Sequence, residues 1–252
     1  MLYFNMHSRH KKIIEMLQTG KVVIKEAAKS LGVTEMTIRR DLRVLEAQKT
    51  VLMVKAGAIL HPARYEPECS TLMLTPEKFC LAEKLYHEIM PAKRIFIGTG
   101  STVLAFAKVL ARHRSTVTVV THSLPVAAAL FQTRHRVILI GGELRQTSMD
   151  LIGSIAENQL AKYHVQWLIS GCDGASAWTG FYTADADLQH LERQEMALAD
   201  HVAVVTGSEK FKRSGGVCFA SPEAVSLLVT DKNIPPDESK ELISRGVKIV
   251  TV

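Results

Sequence analysis

The stretch that most constrains the fold runs from Val33 to Leu45, V-T-E-M-T-I-R-R-D-L-R-V-L. Ile38, Leu42 and Leu45 recur at i, i+4 and i+7, which predicts a helix with one apolar stripe. Thr34 is a suitable N-cap because its hydroxyl can accept a hydrogen bond from a free amide of the first turn. The stripe would hold the helix on its own domain and leave the opposite face for a partner.

That opposite face is rich in arginine. It carries Thr37, Arg40 and Arg43, with Arg39 at its edge, and Glu35 lies in the first turn, where the helix dipole favours a negative charge. Arginine pairs bidentately with guanine or with phosphate, so a face of this kind can lie in a DNA major groove. An arginine-rich face is also typical of an ordinary solvated helix, and this helix alone does not distinguish the two interpretations.

The preceding residues favour DNA binding. Lys25–Leu31 is predicted as a second short helix, and its alanines Ala27 and Ala28 allow close helix approach. Gly32 fits a left-handed helix end and leads at once into Thr34. A helix, a short turn containing glycine and a basic helix together form the helix-turn-helix pattern.

The flanking segments extend this pattern to a winged helix. Arg9–Leu17 is predicted as the first helix and Val22–Ile24 as a short strand. Thr50–Leu60 is rich in β-forming residues with a central glycine, which suits a two-stranded wing. Lys49 and Lys55 are candidate phosphate contacts, although an ordinary hairpin packed on the helices would show the same pattern.

The charge distribution agrees with a phosphate-binding segment. The net charge is +6, and residues 1–60 hold eleven Lys and Arg against five Asp and Glu. The rest of the chain holds twenty of each and is neutral. We therefore predict a DNA-binding domain over 1–60, a linker with three prolines over 61–76, and a second domain over 77–252.

Several classes of protein are not indicated. No apolar run is long enough to span a membrane, and the first residues lack the apolar core of a signal peptide. Cys69, Cys80, Cys172 and Cys218 form no C-x-x-C and no metal-ligand spacing. We interpret them as reduced, mostly buried thiols of a cytoplasmic protein, and we expect neither a metal nor a cofactor.

The second domain alternates helices with short apolar strands. The segments are Glu77–Ile89 (helix), Arg94–Ile97 (strand), Thr102–Ala111 (helix), Val117–Val120 (strand), Pro125–Phe131 (helix), Val137–Ile140 (strand), Ile155–Lys162 (helix) and Val165–Ser170 (strand), and the alternation continues through Leu188–Ala199, Val202–Val205, Leu227–Thr230, Ser239–Ser244 and Val247–Val250. Strands of Val, Ile and Leu with little polar alternation are buried on both faces. The pattern predicts an α/β fold with a mostly parallel sheet covered by helices.

Ligands of such sheets bind beyond the carboxyl ends of the strands, and several strand ends here carry suitable residues. The candidates are Gly98, Thr99, Gly100, Ser101 and Thr102 after the first strand, Thr121 and Ser123 after the second, Gly141 and Gly142 after the third, then Asp173 and Lys210. His122 is interpreted as a capping or surface histidine. Each piece alone is more typical of a turn or a helix cap than of a ligand site.

Together these pieces indicate a small anionic ligand. Free amides and hydroxyls at the helix start after Gly98 can hold a phosphate. The segment is neither a Walker A loop nor a dinucleotide fingerprint, since the lysine and the third glycine are missing. A phosphorylated sugar is the simplest ligand that combines an anion with several hydroxyls.

On these residues the chain resembles the DeoR family of transcriptional regulators over nearly its whole length. The matching segments are Gly20-Lys21-Val22-Val23, Leu31-Gly32-Val33-Thr34 and Thr37-Ile38-Arg39-Arg40-Asp41-Leu42, then Gly100-Ser101-Thr102, Thr121-x-Ser123, Gly141-Gly142, Gly180 and Lys210-Phe211. The resemblance implies a winged helix-turn-helix joined to a domain similar to ribose-5-phosphate isomerase. It also implies an oligomeric repressor of sugar-use genes that a phosphorylated sugar releases from double-stranded operator DNA.

The sequence departs from the family pattern at several positions. The wing reads Lys55-Ala56-Gly57-Ala58 where His-Gly-Gly-Ala is usual. The family has aspartate at Gly98 and at Gly207, asparagine at His122, and glutamate near Leu188, where Asp187 is the nearest substitute. These differences concern the expected effector more than the DNA.

Two other functions fit part of the pattern. A sugar-phosphate isomerase carrying a DNA-binding domain would need carboxylate bases, and Asp173-Gly174-Ala175 is similar to the start of the isomerase D-G-A-D-E run. Ser176 and Ala177 follow here, so both later carboxylates are missing. An architectural DNA-binding protein with a purely structural second domain would not need the hydroxyls and glycines at the strand ends.

Overall fold

A computed structural model describes residues 2–18, 22–47, 50–60, 73–212 and 216–252. The chain divides into two compact units, Met1–Glu68 and Cys69–Val252, and each is treated by itself. The predicted linker over 61–76 falls mostly outside the described residues, as do Gly20, Lys21, Lys49 and Cys69. The boundaries of the three predicted segments therefore stay a prediction.

The N-terminal unit is a winged helix-turn-helix, as predicted. Its elements are α1 (Leu2–Gln18), β1 (Val22–Val23), α2 (Ile24–Leu31), α3 (Glu35–Ala47), β2 (Val51–Val54) and β3 (Gly57–Leu60). The three strands form an antiparallel sheet in the order β1-β3-β2. Helix α1 begins seven residues earlier than the sequence predicted.

The predicted turn and apolar stripe are both confirmed. Gly32 ends α2 in the left-handed conformation, with φ 63°, and its amide donates to the Ala28 carbonyl. The Thr34 hydroxyl caps α3 by accepting a hydrogen bond from the Thr37 amide at 3.3 Å. Ile38 and Leu42 are fully buried, so the apolar side of α3 lies in the core of this unit.

The wing depends on a close approach between two strands. A Cβ placed on Gly57 would lie 1.9 Å from the Val22 carbonyl oxygen, so only glycine lets β3 pair with β1 here. Ala56 precedes it in the β2–β3 turn with φ 65°, a left-handed conformation that alanine rarely adopts. The glycine that the family usually has at this position would adopt it without strain.

One buried charge ties α1 to α3. Asp41 is 2% exposed and accepts hydrogen bonds from the Arg9 guanidinium through both carboxylate oxygens, with Nη2 to Oδ1 at 3.0 Å. His10 Nε2 lies 3.4 Å from Oδ1 without the alignment of a hydrogen bond. The Asp41 carboxylate therefore faces the protein, while its arginine neighbours on α3 face outward.

The C-terminal unit contains the predicted alternation and several additional strands. Its elements are α4 (Pro76–Ile89), β4 (Arg94–Ile97), α5 (Ser101–Leu110), β5 (Thr118–Thr121), α6 (Leu124–Leu130), β6 (Arg136–Leu139), β7 (Glu143–Arg145), β8 (Asp150–Ile152), α7 (Ser154–Leu160), β9 (Val165–Ser170), β10 (Gly174–Ser176), β11 (Gly180–Thr183), α8 (Ala186–Ala197), β12 (Ala199–Val205), β13 (Val217–Ala220), β14 (Leu227–Thr230), α9 (Pro236–Ser244) and β15 (Lys248–Thr251). Short 3-10 helices cover Ser208–Lys212 and Pro222–Ala224.

Seven of these strands form one parallel sheet in the order β15-β14-β12-β9-β4-β5-β6. This confirms the predicted α/β class with a parallel sheet. Strands β5 and β6 lie on one side of β4, whereas β9 and all later strands of the sheet lie on its other side. The order therefore reverses between β4 and β9, which is where open α/β sheets open a crevice.

Helices cover both faces of this sheet and create two apolar cores. On one face α4, α5 and α6 pack through residues such as Leu85, Phe106 and Leu130. On the other face α7, α8 and α9 contribute Leu160, Leu191 and Leu242. This double cover explains why the strands read as continuous apolar runs.

Two small antiparallel sheets lie outside the prediction: β10-β11-β13 and the hairpin β7-β8. The hairpin covers the carboxyl end of β5. The Leu124 amide donates to the Met149 carbonyl at 3.0 Å, and the Leu151 amide donates to the His122 carbonyl at 2.9 Å. These strands are only three or four residues long, and β7 and β8 also contain charged residues, so none of them forms a run as clear as those of the other strands.

The cysteine prediction is wrong in part. Cys80 is exposed, whereas Cys172 and Cys218 are half-buried, and all three are free thiols. Among the helices in the described ranges, none is long and apolar enough to cross a membrane.

Candidate functional site

The recognition helix α3 presents the predicted polar face to solvent. Thr34, Glu35, Arg39, Arg40 and Arg43 are exposed, Thr37 is half-buried, and Lys55 is exposed in the turn of the wing. Met36 was not among the predicted contacts, yet it is 74% exposed and shares a stripe with Arg40 and Arg43 at i, i+4 and i+7. An apolar side chain between arginines on a recognition helix can contact a thymine methyl group.

We expect Arg40→Ala to weaken DNA binding. If Arg40 contacts a guanine, the loss is about 1–3 kcal/mol and confined to the preferred sequence. If it contacts phosphate, the loss is similar on all sequences and the salt slope falls by about 1. The measurement is the affinity for a duplex selected from a random pool and for random DNA, at several salt concentrations.

Arg136→Ala serves as the matched control because Arg136 is an equally exposed arginine in the other unit. Both variants lose one positive charge, so a difference between them depends on position. If Arg40→Ala and Arg136→Ala bind both DNAs with equal affinity, Arg40 is not part of the DNA interface.

The C-terminal unit contains a cavity of about 900 Å³, within the range that holds small molecules. Five strands of the large sheet contribute the residues that follow their carboxyl ends: Thr99–Val103 after β4, Gly171–Asp173 after β9, Thr206–Lys210 after β12, Asp231 and Asn233 after β14, and Val252 after β15. The start of α4, the β7–β8 hairpin, Thr183 at the end of β11, and α8 complete the wall. The cavity therefore lies beside the reversal of strand order, on the side of the later strands.

One end of the cavity can hold an anion. Gly100 has φ 115° and precedes α5, whose first amides at Ser101, Thr102 and Val103 have no partner within the helix. The Thr99 hydroxyl is buried and has no hydrogen-bond partner among the described residues. A helix start with free amides and a buried hydroxyl is a suitable phosphate cradle.

Two lysines line the same cavity. Lys210 lines the cavity within the 3-10 helix Ser208–Lys212, and Lys78 lines it from α4. Burial and the nearby positive charge of Lys210 lower the pKa of Lys78. A bound anion would reduce the repulsion between these two cations.

The opposite wall is acidic. Arg145 donates to both oxygens of Asp150, at 2.9 and 2.6 Å, and also to Asp185. Ser148 donates to Asp150 Oδ1 at 2.8 Å, so this carboxylate is fully engaged. Arg145, Ser148 and Asp185 line the cavity, and none of them was predicted from the sequence.

Glu192 on α8 is the unusual residue of this wall. It is 8% exposed, it lines the cavity, and its Oε2 atom has no hydrogen-bond partner in the part of the chain that the structure describes. Burial, followed by the charge of Asp173, raises the pKa of Glu192 to about 8. A buried carboxyl without a partner in a cavity is a candidate ligand contact.

The predicted effector residues separate into two groups. Thr99, Gly100, Ser101, Thr102, Asp173 and Lys210 line the cavity, whereas Gly98, Thr121, Ser123, Gly141 and Gly142 do not. Gly98 directly follows β4, and the other four residues lie at or just after the ends of β5 and β6, which the sheet order places beyond β4. Their effector role stays a prediction, and the cavity does not include them.

All five residues have contacts within the protein, and the Gly98 amide donates to the Ile169 carbonyl at 3.0 Å. Thr121 Oγ1 accepts a hydrogen bond from the Ser123 amide at 3.0 Å, and Ser123 caps α6. The Gly141 amide donates to Gln159 Oε1 at 3.0 Å, and a Cβ on Gly142 would lie 2.6 Å from the Ile152 carbonyl oxygen. These contacts fasten the loops after β5 and β6.

The structure shows which residues surround the positions that depart from the family pattern. His122 is fully buried rather than a surface residue, and its Nε2 lies 3.4 Å from Glu195 Oε1 on α8. A Cβ on Gly98 would lie 3.9 Å from Glu195 Oε2, so the glutamate occupies the space into which an aspartate at 98 would extend. Leu188 and Gly207 both line the cavity, whereas the side chain of Asp187 lies outside the described part.

Sequence reasoning missed Arg145 and Glu192, the two charged residues that define the acidic wall. The available signal for Glu192 was its position four residues after Leu188 and next to Leu191 on one helix, since residues at this spacing share the buried side. Arg145 gave no signal, because it belongs to a hairpin that was not predicted.

An exposed basic recognition helix in one unit and a ligand-sized cavity in the other are typical of a DNA-binding regulator with a separate sensor domain. The DeoR-like helix-turn-helix domain matches residues 9–62, and the DeoR C-terminal sensor domain matches residues 75–232. The chain therefore belongs to the DeoR family of transcriptional regulators, as its motifs predicted.

Named relatives agree with this assignment. The chain is 30% identical to a protein of Escherichia coli O157:H7 assigned as the aga operon transcriptional repressor, over 97% of this chain and 93% of that protein. It is 27% identical to the HTH-type transcriptional regulator UlaR of Shigella dysenteriae serotype 1, over 97% and 98% of the two chains. Ribose 5-phosphate isomerase A of Methanocaldococcus jannaschii is a structural neighbour with 17% identity and a TM-score of 0.40, over 53% of this chain and 52% of that one.

Proposed function

We propose that this regulator represses a sugar transport or catabolism operon and is released from its operator when a phosphorylated sugar enters the cavity. The observation that carries the proposal is the Thr99–Thr102 cradle with Lys210, in a chain whose other unit presents a recognition helix. A phosphate fits the free amides and the cation, and sugar hydroxyls fit the polar wall opposite. The name of one relative, the aga operon transcriptional repressor, supports the choice of repressor over activator.

We further infer that the cavity binds its ligand without converting it. An isomerase needs a carboxylate free to take a proton. Asp173 accepts the Ala184 amide at 2.8 Å, Asp231 accepts from the Ser208 amide and hydroxyl, and Asp185 is engaged by Arg145. Glu192, whose pKa burial raises to about 8, is mostly protonated at neutral pH and so already holds the proton that a base would have to accept.

Release would act through an oligomer in the cytoplasm, where the operator is. Ligand binding would change how two protomers present their recognition helices, so that the two helices can no longer bind two half-sites on DNA at once. Such coupling is reciprocal and is typically about 1–3 kcal/mol, so operator DNA should weaken ligand binding by the same factor.

The test is Ser101→Glu, which places a negative charge in the cradle. We expect the variant to bind operator normally and to ignore sugar phosphates that release the wild type, because the added carboxylate repels phosphate. The measurement is operator affinity with and without a set of phosphorylated sugars.

Ser154→Glu is the matched control. Gly153 and Ser154 begin α7 as Gly100 and Ser101 begin α5, yet they do not line the cavity. This control should respond like the wild type. If no phosphorylated sugar shifts the wild type, or if Ser101→Glu responds as well as Ser154→Glu, the proposal is wrong.

A further inference from the structure

The cavity has more negative than positive charge, which is unexpected for a site that takes a dianionic phosphate. Besides Glu192, which is mostly protonated at neutral pH, its lining contains five carboxylates, Glu77, Asp173, Asp185, Glu209 and Asp231, against the three cations Lys78, Arg145 and Lys210. A sugar phosphate without another charge would add to this excess. The excess negative charge is not spread evenly over the cavity wall, and its position indicates which further chemical group the ligand carries.

The charged residues of the wall act on one another in two sets. The pKa of Lys78 is lowered by burial and by Lys210 and raised by Glu209. The pKa of Glu192 is raised by burial, Asp173, Asp150 and Asp185 and lowered by Arg145. Burial raises the pKa of the Cys172 thiol to about 12, and Lys210, Asp173 and Glu192 all act on this thiol, so it lies near both sets.

Arg145 is the only cation among the described residues that shift the pKa of Glu192, and its guanidinium already has other partners. Arg145 gives two hydrogen bonds to Asp150 and one to Asp185. Glu195, on the same helix, is buried and also lacks a hydrogen bond to its Oε1. Glu192 is therefore more than nine-tenths buried, faces the cavity, and has an oxygen that no donor in the described ranges reaches.

We propose that the ligand carries an ammonium group that binds Glu192, so that the effector is an amino sugar phosphate with its phosphate on the Thr99–Thr102 cradle. The inference rests on the proposed function, because it names the class of sugar phosphate for the same cavity. An ammonium group supplies both the donor that Glu192 Oε2 lacks and the charge that the acidic wall lacks. An unmodified hydroxyl supplies only a donor.

The raised pKa of Glu192 is consistent with this role. A carboxyl with a pKa of about 8 is mostly protonated at pH 7, so its ionisation on ligand binding reduces the binding constant only about tenfold. Once the ammonium group is bound, its charge favours the carboxylate. Binding of the amino sugar phosphate at pH 7 should therefore release close to one proton from the protein.

The experiment compares matched ligands on the full-length chain by isothermal titration calorimetry. The pairs are glucosamine 6-phosphate with glucose 6-phosphate, and galactosamine 6-phosphate with galactose 6-phosphate. For at least one pair we expect the amino sugar to bind tenfold or more tightly than its partner, with proton release for the amino sugar only, measured in two buffers of different ionisation enthalpy. Glu192→Gln should reduce the affinity ratio to near one while the neutral sugar phosphate binds as before.

Glu209→Gln is the matched control, since it removes the same charge from the cavity at the lysine end. It should keep the preference for the amino sugar. The proton release of the wild type tests the proposal independently of how well Glu192→Gln folds.

The possible outcomes separate this inference from the proposed function. If neutral sugar phosphates bind as tightly as amino ones and release operator DNA, the proposed function stands and the ammonium contact is wrong. If Glu192→Gln keeps the full preference, the ammonium group binds elsewhere and the inference is wrong. If none of the four ligands or other phosphorylated sugars binds, both are wrong.

Discussion

Glu192→Gln is expected to stabilise the C-terminal unit by about 4 kcal/mol at pH 8 and to have little effect near pH 5. The folded state holds the Glu192 proton up to a pKa of about 8, whereas an ordinary glutamate loses it near 4.5. Between these values the folded state binds more protons than the unfolded state, so stability falls as pH rises through this range. Glutamine cannot ionise, so the variant avoids that loss.

The measurement is urea unfolding followed by tryptophan fluorescence at pH 5 and pH 8. Both tryptophans, Trp167 and Trp178, belong to the C-terminal unit, so the signal reports that unit alone. Glu209→Gln should change stability little at either pH, because Glu209 is exposed. Equal stability of wild type and Glu192→Gln at pH 8 would mean that Glu192 is not held in a protonated state.

Asp41→Ala is expected to destabilise the N-terminal unit by about 3 kcal/mol. The carboxylate is almost fully buried and takes two hydrogen bonds from Arg9. Removal of one partner of a buried pair costs about 3–5 kcal/mol, and the lower end applies because the Arg9 side chain is 21% exposed and partly solvated. The loss should loosen α1 from α3 without altering the arginine face itself.

Hydrogen exchange of peptides from α1 and α3 measures this effect without interference from the other unit. Exchange should become faster in Asp41→Ala and stay unchanged in peptides of the seven-stranded sheet. Glu15→Ala, which removes an exposed carboxylate of α1, should change exchange by less than about 0.5 kcal/mol. Unchanged protection in Asp41→Ala would show that the Arg9 contact contributes no stability.

The sequence was sufficient for the class of fold. Ile38, Leu42 and Leu45 defined the inner side of the recognition helix, and the apolar runs located all seven strands of the parallel sheet to within three residues. Both results follow from periodicity, which a single sequence contains. The hairpin β7-β8 and the sheet β10-β11-β13 had no comparable signal, because their strands are only three or four residues long and most of them include polar residues.

The candidate site was predictable only in part, for a topological reason. Residues at the ends of β4, β9 and β12 meet in the cavity, whereas Thr121 and Gly141 follow β5 and β6 on the far side of β4. A sequence gives the order of strands along the chain and not their order in the sheet. The expectation that all strand ends converge on one ligand therefore included residues from both sides of the reversal.

The placement of the cavity has a practical consequence for reprogramming the sensor. Segments 207–212 and 231–233 follow the last paired residues of β12 and β14 and contribute residues 207–210, Asp231 and Asn233 to the cavity wall. They can be grafted from another chain of this architecture without cutting a strand. Because the Ser208 amide and hydroxyl both donate to Asp231, at 2.7 and 2.8 Å, the two loops form a single insert and should be exchanged together.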